Sequence, residues 1–141
     1  MAEMSNEGAS ASAGIDLSQF FQVFFEEAGE NLQSMEQMLL DLDITAADDE
    51  ELNAIFRAAH SIKGGSGTFG FHEMTEVTHE LESLLDRVRK NELELRSDMV
   101  DVRLAAGDLL RAQLAHYRGE APAPDLPVED MCRRIRACME A

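Results

Sequence analysis

The stretch that decides the fold is residues 52–71, Leu52-Asn-Ala-Ile-Phe-Arg-Ala-Ala-His60-Ser-Ile-Lys63-Gly-Gly-Ser-Gly-Thr-Phe-Gly-Phe71. Its apolar residues recur every three or four positions, which predicts one face of an amphipathic helix. His60 lies at the edge of that face, and glycines crowd the helix just after it. Because a glycine inside a helix costs about 1 kcal/mol relative to alanine, these glycines indicate a purpose beyond folding.

A first helix is predicted before this stretch, from about residue 17 to about residue 42. Asp16 is its predicted N-cap, and the Ala-, Ser- and Gly-rich residues 1–14 are predicted to be a disordered lead-in. The helix that carries His60 then begins after a turn, with either Asp48 or Asp49 as its cap.

Three more helices are predicted after Gly70. The third closes near Lys90, and the fourth begins near Ser97 and ends before a loop at residues 119–127 that holds all three prolines. A shorter fifth helix follows the loop. Helices joined by such short loops predict an all-α domain over residues 15–141, an antiparallel up-down four-helix bundle with a fifth C-terminal helix. The inner face of the fourth helix is predicted to hold Val102, Ala106, Leu109, Gln113 and Tyr117.

Composition restricts the class of protein. The 141 residues carry 28 acidic and 12 basic side chains, a formal charge of −16. Such a charge repels nucleic acid and anionic membranes, so binding to either is not expected. Residues 1–14 lack the features of a signal peptide and no apolar run could span a bilayer, which predicts a cytoplasmic protein. Cys132 and Cys138 match no metal or redox motif and are predicted to be free thiols.

Several side chains around His60 form a candidate site. Lys63 and Gly64 follow it by three and four residues on the same flank of the helix, and Gly67 lies one further turn away. A lysine there could bind a phosphoryl oxygen as a point charge. We expect Gly64, Gly65 and Gly67 to clear a docking surface for a partner protein, although close helix packing would also explain a pair of glycines.

The third helix carries a matching set of polar side chains. His79 and Glu82 fall on one flank of its apolar face, and an antiparallel hairpin of the second and third helices would bring them alongside His60. A carboxylate that accepts the Nδ1 proton of an imidazole fixes the tautomer and leaves Nε2 as a nucleophile.

Residues 52–90 resemble the histidine phosphotransfer (HPt) domain of the chemotaxis histidine kinases of the CheA type. The resemblance is carried by Ala58-Ala-His-Ser-Ile-Lys-Gly-Gly-Ser-Gly-Thr-Phe-Gly70 and Thr78-His-Glu-Leu-Glu82, and extends more loosely over residues 16–140. It implies that His60 carries a phosphoryl group on Nε2, that Lys63 stabilises the phosphate, and that His79 and Glu82 complete a network around the imidazole. Ser66, where a small residue is usual, is interpreted as a neutral variation.

The resemblance also implies partners. The ATP-binding catalytic domain of a kinase would phosphorylate His60, and an aspartate of a chemotaxis response regulator would accept the phosphoryl group. ATP and Mg²⁺ are expected on those partners, and no cofactor or metal in this domain, which acts as phosphocarrier and kinase substrate. The resemblance favours the N-terminal part of a longer kinase over a free-standing protein.

Other interpretations use the same residues. Glu76-Val-Thr-His79 has the Glu-x-x-His spacing of di-iron bundles, but a second copy is missing. The Lys63-Gly-Gly-Ser-Gly order differs from that of a phosphate-binding loop, and no strand precedes it. No set of polar residues at helical spacing accompanies His72 or His116, so neither is a candidate site residue. A helical adaptor that binds a signalling partner without being phosphorylated remains the alternative function.

Overall fold

The computed structural model describes the backbone of residues 2–140 and the side chains of residues 19–140. This part of the chain forms five α-helices: α1 (Ala2–Asp41), α2 (Asp49–Thr68), α3 (His72–Arg89), α4 (Ser97–Tyr117) and α5 (Val128–Met139). Helices α1 to α4 pack each on the next, α4 closes the ring against α1, and α5 lies on α3 and α4. The predicted all-α bundle with a fifth helix is confirmed.

Contacts at both ends of the α2–α3 pair show that the two helices run antiparallel. The end of α2 meets the start of α3 through Ser66 and Thr75, whose hydroxyl oxygens are 2.9 Å apart. The start of α2 meets the end of α3 through Arg89, which donates a hydrogen bond to Asn53. His60 and Glu82 therefore lie at matching levels of the two helices.

Helix α1 is longer than predicted. It begins at Ala2 instead of near residue 17, so Asp16 lies within the helix and not at its start. Alanine is the strongest helix former and no proline interrupts the lead-in, so the helix can continue through this segment. The side chains of residues 2–18 lie outside the described ones, and the division into a disordered lead-in at 1–14 and a domain at 15–141 remains a prediction.

The two ends of α2 are defined by local hydrogen bonds. At its start Asp48, not Asp49, is the cap: its carboxylate accepts from the Glu51 N–H at 2.8 Å, and Glu51 accepts from the Asp48 N–H in return. At its end Gly70 has a φ of +79°, and the Phe71 N–H donates to the Ser66 carbonyl at 2.9 Å. That bond and the positive φ form a Schellman ending, which turns the chain into α3.

The core follows the predicted apolar periodicity of α2 and α3, except that Phe56 on α2 is only half-buried, and it differs more on α4. Val102 and Tyr117 are only half-buried, whereas Arg103 is 1% exposed. Because α4 packs on α1, α3 and α5, more than one side of it is buried, and a single apolar stripe predicts its inner face incompletely. The buried residues of α4 are Met99, Arg103, Ala106, Leu109, Leu110, Gln113 and Leu114.

In the part of the chain that the structure describes, no helix is both long enough and apolar enough to cross a bilayer.

Candidate functional site

His60 projects from the middle of α2, with 62% of its side chain accessible. Its Nδ1 atom lies 3.2 Å from Oε2 of Glu82 on α3. Glu82 is only 15% exposed, so its carboxylate is held between the two helices while the imidazole reaches outward. Nε2 is on the opposite edge of the ring from Nδ1, away from that contact.

The same Glu82 oxygen also binds the ammonium group of Lys63. The Nζ atom of Lys63 lies 2.8 Å from Oε2, and the Lys63 side chain is 26% exposed. Both contacts have ion-pair distances without the angular geometry of a hydrogen bond, and Oε2 itself is shielded from water. One carboxylate oxygen thus joins the imidazole and the ammonium group on the adjacent turn of α2.

The structure does not bring His79 into this cluster. Among the described residues, no hydrogen bond or ion pair joins His79 to His60 or Glu82. His79 precedes Glu82 by three positions, which on a helix turns its side chain by about 60° toward α5. There it is exposed and lines a groove together with Glu76, Glu80, Glu129, Cys132 and Arg136. Its participation in an imidazole network remains a prediction.

The three glycines after His60 differ in their surroundings. A β-carbon at Gly64 would meet no atom within 4 Å, so this position is open. A β-carbon at Gly65 would collide with the ring of Phe24 on α1, so at Gly65 the structure supports the packing alternative. Gly67 is exposed, and a β-carbon there would come within 4.0 Å of the Thr75 hydroxyl. Gly64 and Gly67 are therefore the two that leave open surface near the imidazole.

Ser66 has a structural role that the sequence did not indicate. Its side chain is fully buried, donates to the Lys63 carbonyl at 3.0 Å and shares a hydrogen bond with the Thr75 hydroxyl of α3. The bond ties the two helices together one turn beyond Lys63. The sequence could have predicted this hydrogen bond, because Ser66 lies on the buried face of α2 and Thr75 is in the facing part of α3.

The described residues hold no cluster of three or more His, Cys, Asp or Glu side chains arranged to bind a metal ion.

Comparisons with known proteins show the family to which the chain belongs. The family model for the Hpt domain matches residues 19–120. The chain belongs to the Hpt domain family. This Hpt domain is 47% identical over 122 residues to the chemotaxis protein CheA of Salmonella typhimurium, a match that covers 86% of the chain and 18% of that protein. It is 48% identical over 123 residues to CheA of Klebsiella aerogenes, covering 86% of the chain and 19% of that protein.

Solved structures resemble the Hpt domain over most of its length. The solution structure of the histidine phosphotransfer domain of CheA matches with a TM-score of 0.73 and 31% identity, over 84% of this chain and 90% of that one. The phosphorylated P1 domain of CheA3, in complex with CheY6 from R. sphaeroides, matches with a TM-score of 0.77 over 86% and 96% of the two chains. At 24% identity the second likeness shows the fold alone.

These matches confirm the predicted membership in the histidine phosphotransfer family. The chain spans less than a fifth of the length of the two curated relatives it matches. What those longer proteins do as a whole therefore enters only as a proposal.

Proposed function

We propose that this Hpt domain relays a phosphoryl group, with His60 as the residue that is phosphorylated. The observation that carries the proposal is the contact between Nδ1 of His60 and Oε2 of Glu82. A carboxylate there favours the tautomer that keeps the proton on Nδ1, so the lone pair is on Nε2, on the outer edge of the exposed ring.

In the first step Nε2 attacks the γ-phosphorus of ATP held by a kinase catalytic domain. The N–P bond forms, the bond to the bridging oxygen breaks, and ADP leaves with the electron pair. The ring then carries a positive charge, which the Glu82 carboxylate stabilises through the Nδ1 proton. In this proposal Lys63 contacts an oxygen of the new phosphoryl group as a point charge. Such catalysis consists mainly of positioning and charge stabilisation.

In the second step a carboxylate oxygen of a response-regulator aspartate attacks the phosphorus. The N–P bond breaks and its electron pair returns to Nε2, so the domain is restored. One of the matching structures is a phosphorylated P1 domain in complex with CheY6, which supports a regulator of this class as the acceptor. Likeness to CheA proteins supports chemotaxis-type two-component signalling in the cytoplasm as the setting.

In this proposal the domain is a phosphocarrier and a substrate of the kinase, and ATP and Mg²⁺ belong to the partners. The open positions Gly64 and Gly67 give a partner close access to the outer edge of the imidazole. Gly65 is left out of that docking role because it faces α1.

The test is phosphorylation by a CheA-type catalytic domain with labelled ATP and Mg²⁺. We expect acid-labile, base-stable label on the wild-type domain and none on His60→Gln. His72→Gln and His116→Gln are matched controls, because both histidines are exposed and neither contacts the site. Circular dichroism should show that all variants keep the helical fold. An unlabelled wild type, or label that survives in His60→Gln, would favour the adaptor function instead.

A further inference from the structure

We infer that Phe56 is a positioning residue for the imidazole of His60 and that Arg89 holds Phe56 in place. The inference rests on the proposed function, because it concerns the orientation of the nucleophile. Phe56 precedes His60 by one turn of α2. Their rings are stacked, with centroids 6.0 Å apart and planes inclined by 12°.

Phe56 is itself held from α3. The guanidinium carbon of Arg89 lies 3.7 Å from the centroid of the Phe56 ring, which is the geometry of a cation–π contact. Arg89 is anchored on both helices: it binds Asp86 at 2.7 Å on its own helix and donates to Asn53 at 3.2 Å on α2. A planar guanidinium fixed in this way is a firm support for an aromatic ring.

The anchor is a small charged network rather than one pair. Asp86 also binds Lys90 at 2.9 Å, and hydrogen bonds from Lys90 and Arg89 hold the pKa of Asp86 below its usual value. The Asp86 carboxylate is therefore ionised at neutral pH and remains paired with Arg89.

The imidazole needs such a second contact. Glu82 touches His60 only at Nδ1, and a ring held at one atom can still turn about that contact. Stacking against Phe56 restrains the plane of the ring as well. Glu82 sets which nitrogen faces inward, and Phe56 sets the direction in which Nε2 points. In phosphoryl transfer that direction determines how often Nε2 is in line with the phosphorus.

The expected effect of removing the stack follows from rotamer counting. Without it the imidazole would spread over about three staggered orientations, so the productive one would be populated about a third of the time. Phe56→Leu, which keeps an apolar side chain and removes the ring, should therefore slow phosphorylation of His60 roughly threefold. Phe56→Tyr, which keeps the ring, should be phosphorylated at the wild-type rate.

A readout that needs no kinase separates positioning from folding. The aromatic ring of Phe56 shifts the resonances of the His60 imidazole protons, and comparison with His60→Gln assigns those resonances. We expect the shift to be lost in Phe56→Leu and kept in Phe56→Tyr. Phe25→Leu is the matched control, because Phe25 is also half-buried and stacked on other rings, but makes no aromatic contact with His60. It should leave both the imidazole resonances and the phosphorylation rate unchanged.

If Phe56→Leu fails to fold, Arg89→Met tests the same support from the surface of α3 and should change the His60 resonances and slow phosphorylation in the same direction. Wild-type resonances and rate in whichever of these variants folds would overturn the positioning role, as would a Phe56→Tyr variant that behaves like Phe56→Leu. A wild-type domain that takes no phosphate would overturn the proposed function instead. The resonances would still decide whether Phe56 orients the ring.

Discussion

Gly65 on α2 and Phe24 on α1 approach so closely that a β-carbon at position 65 would lie 2.7 Å from two carbons of the phenylalanine ring. Phe24 is 5% exposed and has little room to move. The adjacent Gly64 has no such neighbour. Two consecutive glycines therefore have different surroundings: Gly65 packs against α1, and Gly64 lies at open surface one turn after His60.

The first prediction compares alanine at these two positions. Gly65→Ala should lower the free energy of unfolding by about 1–2 kcal/mol, because overpacking against Phe24 outweighs the gain in helix propensity. Gly64→Ala should raise it by up to about 1 kcal/mol, because it gains propensity without a collision. Urea denaturation followed by circular dichroism measures both. Equal stability changes in the two variants would contradict the packing role of Gly65.

The second prediction concerns the shared carboxylate. Glu82→Gln removes the charge that faces Nδ1 of His60, and with it the attraction that stabilises the positive charge of the phosphorylated ring, which in partly screened surroundings is on the order of 1–4 kcal/mol. Phosphorylation of His60 should therefore slow by about tenfold or more in single-turnover assays. Glu80→Gln is the control, since it removes a carboxylate of α3 that pairs instead with Arg136. The orienting role of Glu82 would be wrong if both variants were phosphorylated at the wild-type rate.

The third prediction concerns Arg103, whose three guanidinium nitrogens are buried without a partner among the described residues. An unpaired buried charge is unfavourable, so Arg103→Met should raise the free energy of unfolding at neutral pH by about 1–4 kcal/mol. Arg111→Met, on the same helix, removes a half-exposed arginine paired with Glu36 and should change stability by less than about 1 kcal/mol. A destabilised Arg103→Met would show that Arg103 has a favourable partner.

The stability difference between Arg103→Met and the wild type should depend on pH with a definite sign. Burial lowers the pKa of Arg103 from the usual value of an arginine to about 10. Between these values the unfolded chain binds more protons than the folded one, so the contribution of Arg103 to stability rises with pH. The stability difference between Arg103→Met and wild type should be constant below about pH 10 and shrink above it. Urea titrations of both proteins on either side of that pH measure the change. A difference that grew with alkalinity would contradict the lowered pKa.

The fourth prediction concerns the thiols. Cys132 and Cys138 are free, as predicted, and both are buried. Burial raises the pKa of each thiol, so little reactive thiolate is present at neutral pH. Both should react slowly with a disulfide reagent in the native domain and rapidly in urea. Immediate reaction of the native protein would show that α5 separates from α3 and α4.

The sequence by itself determined that five helices form, and it predicted that His60, Lys63 and Glu82 belong to one site. Helical periodicity, capping residues and glycines act within a few positions of the chain, so they can be recognised without knowing the fold. The seven buried residues of α3 recur with the period of a helix along the sequence, and the Asp48 cap and the Gly70 ending follow from local hydrogen bonds.

Only the tertiary structure decided which of those residues meet. Contacts between helices depend on the rotation and separation of each helix, which side-chain packing sets across long stretches of chain. That packing places Glu82 against both His60 and Lys63 and turns His79 toward α5. It also places Gly65 against Phe24 and buries Arg103. It also brought Arg89 over Phe56, a contact between residues more than thirty positions apart. Apart from the contact of Glu82 with His60, which the antiparallel hairpin predicted, these contacts do not follow from local periodicity, because each depends on how two helices face one another.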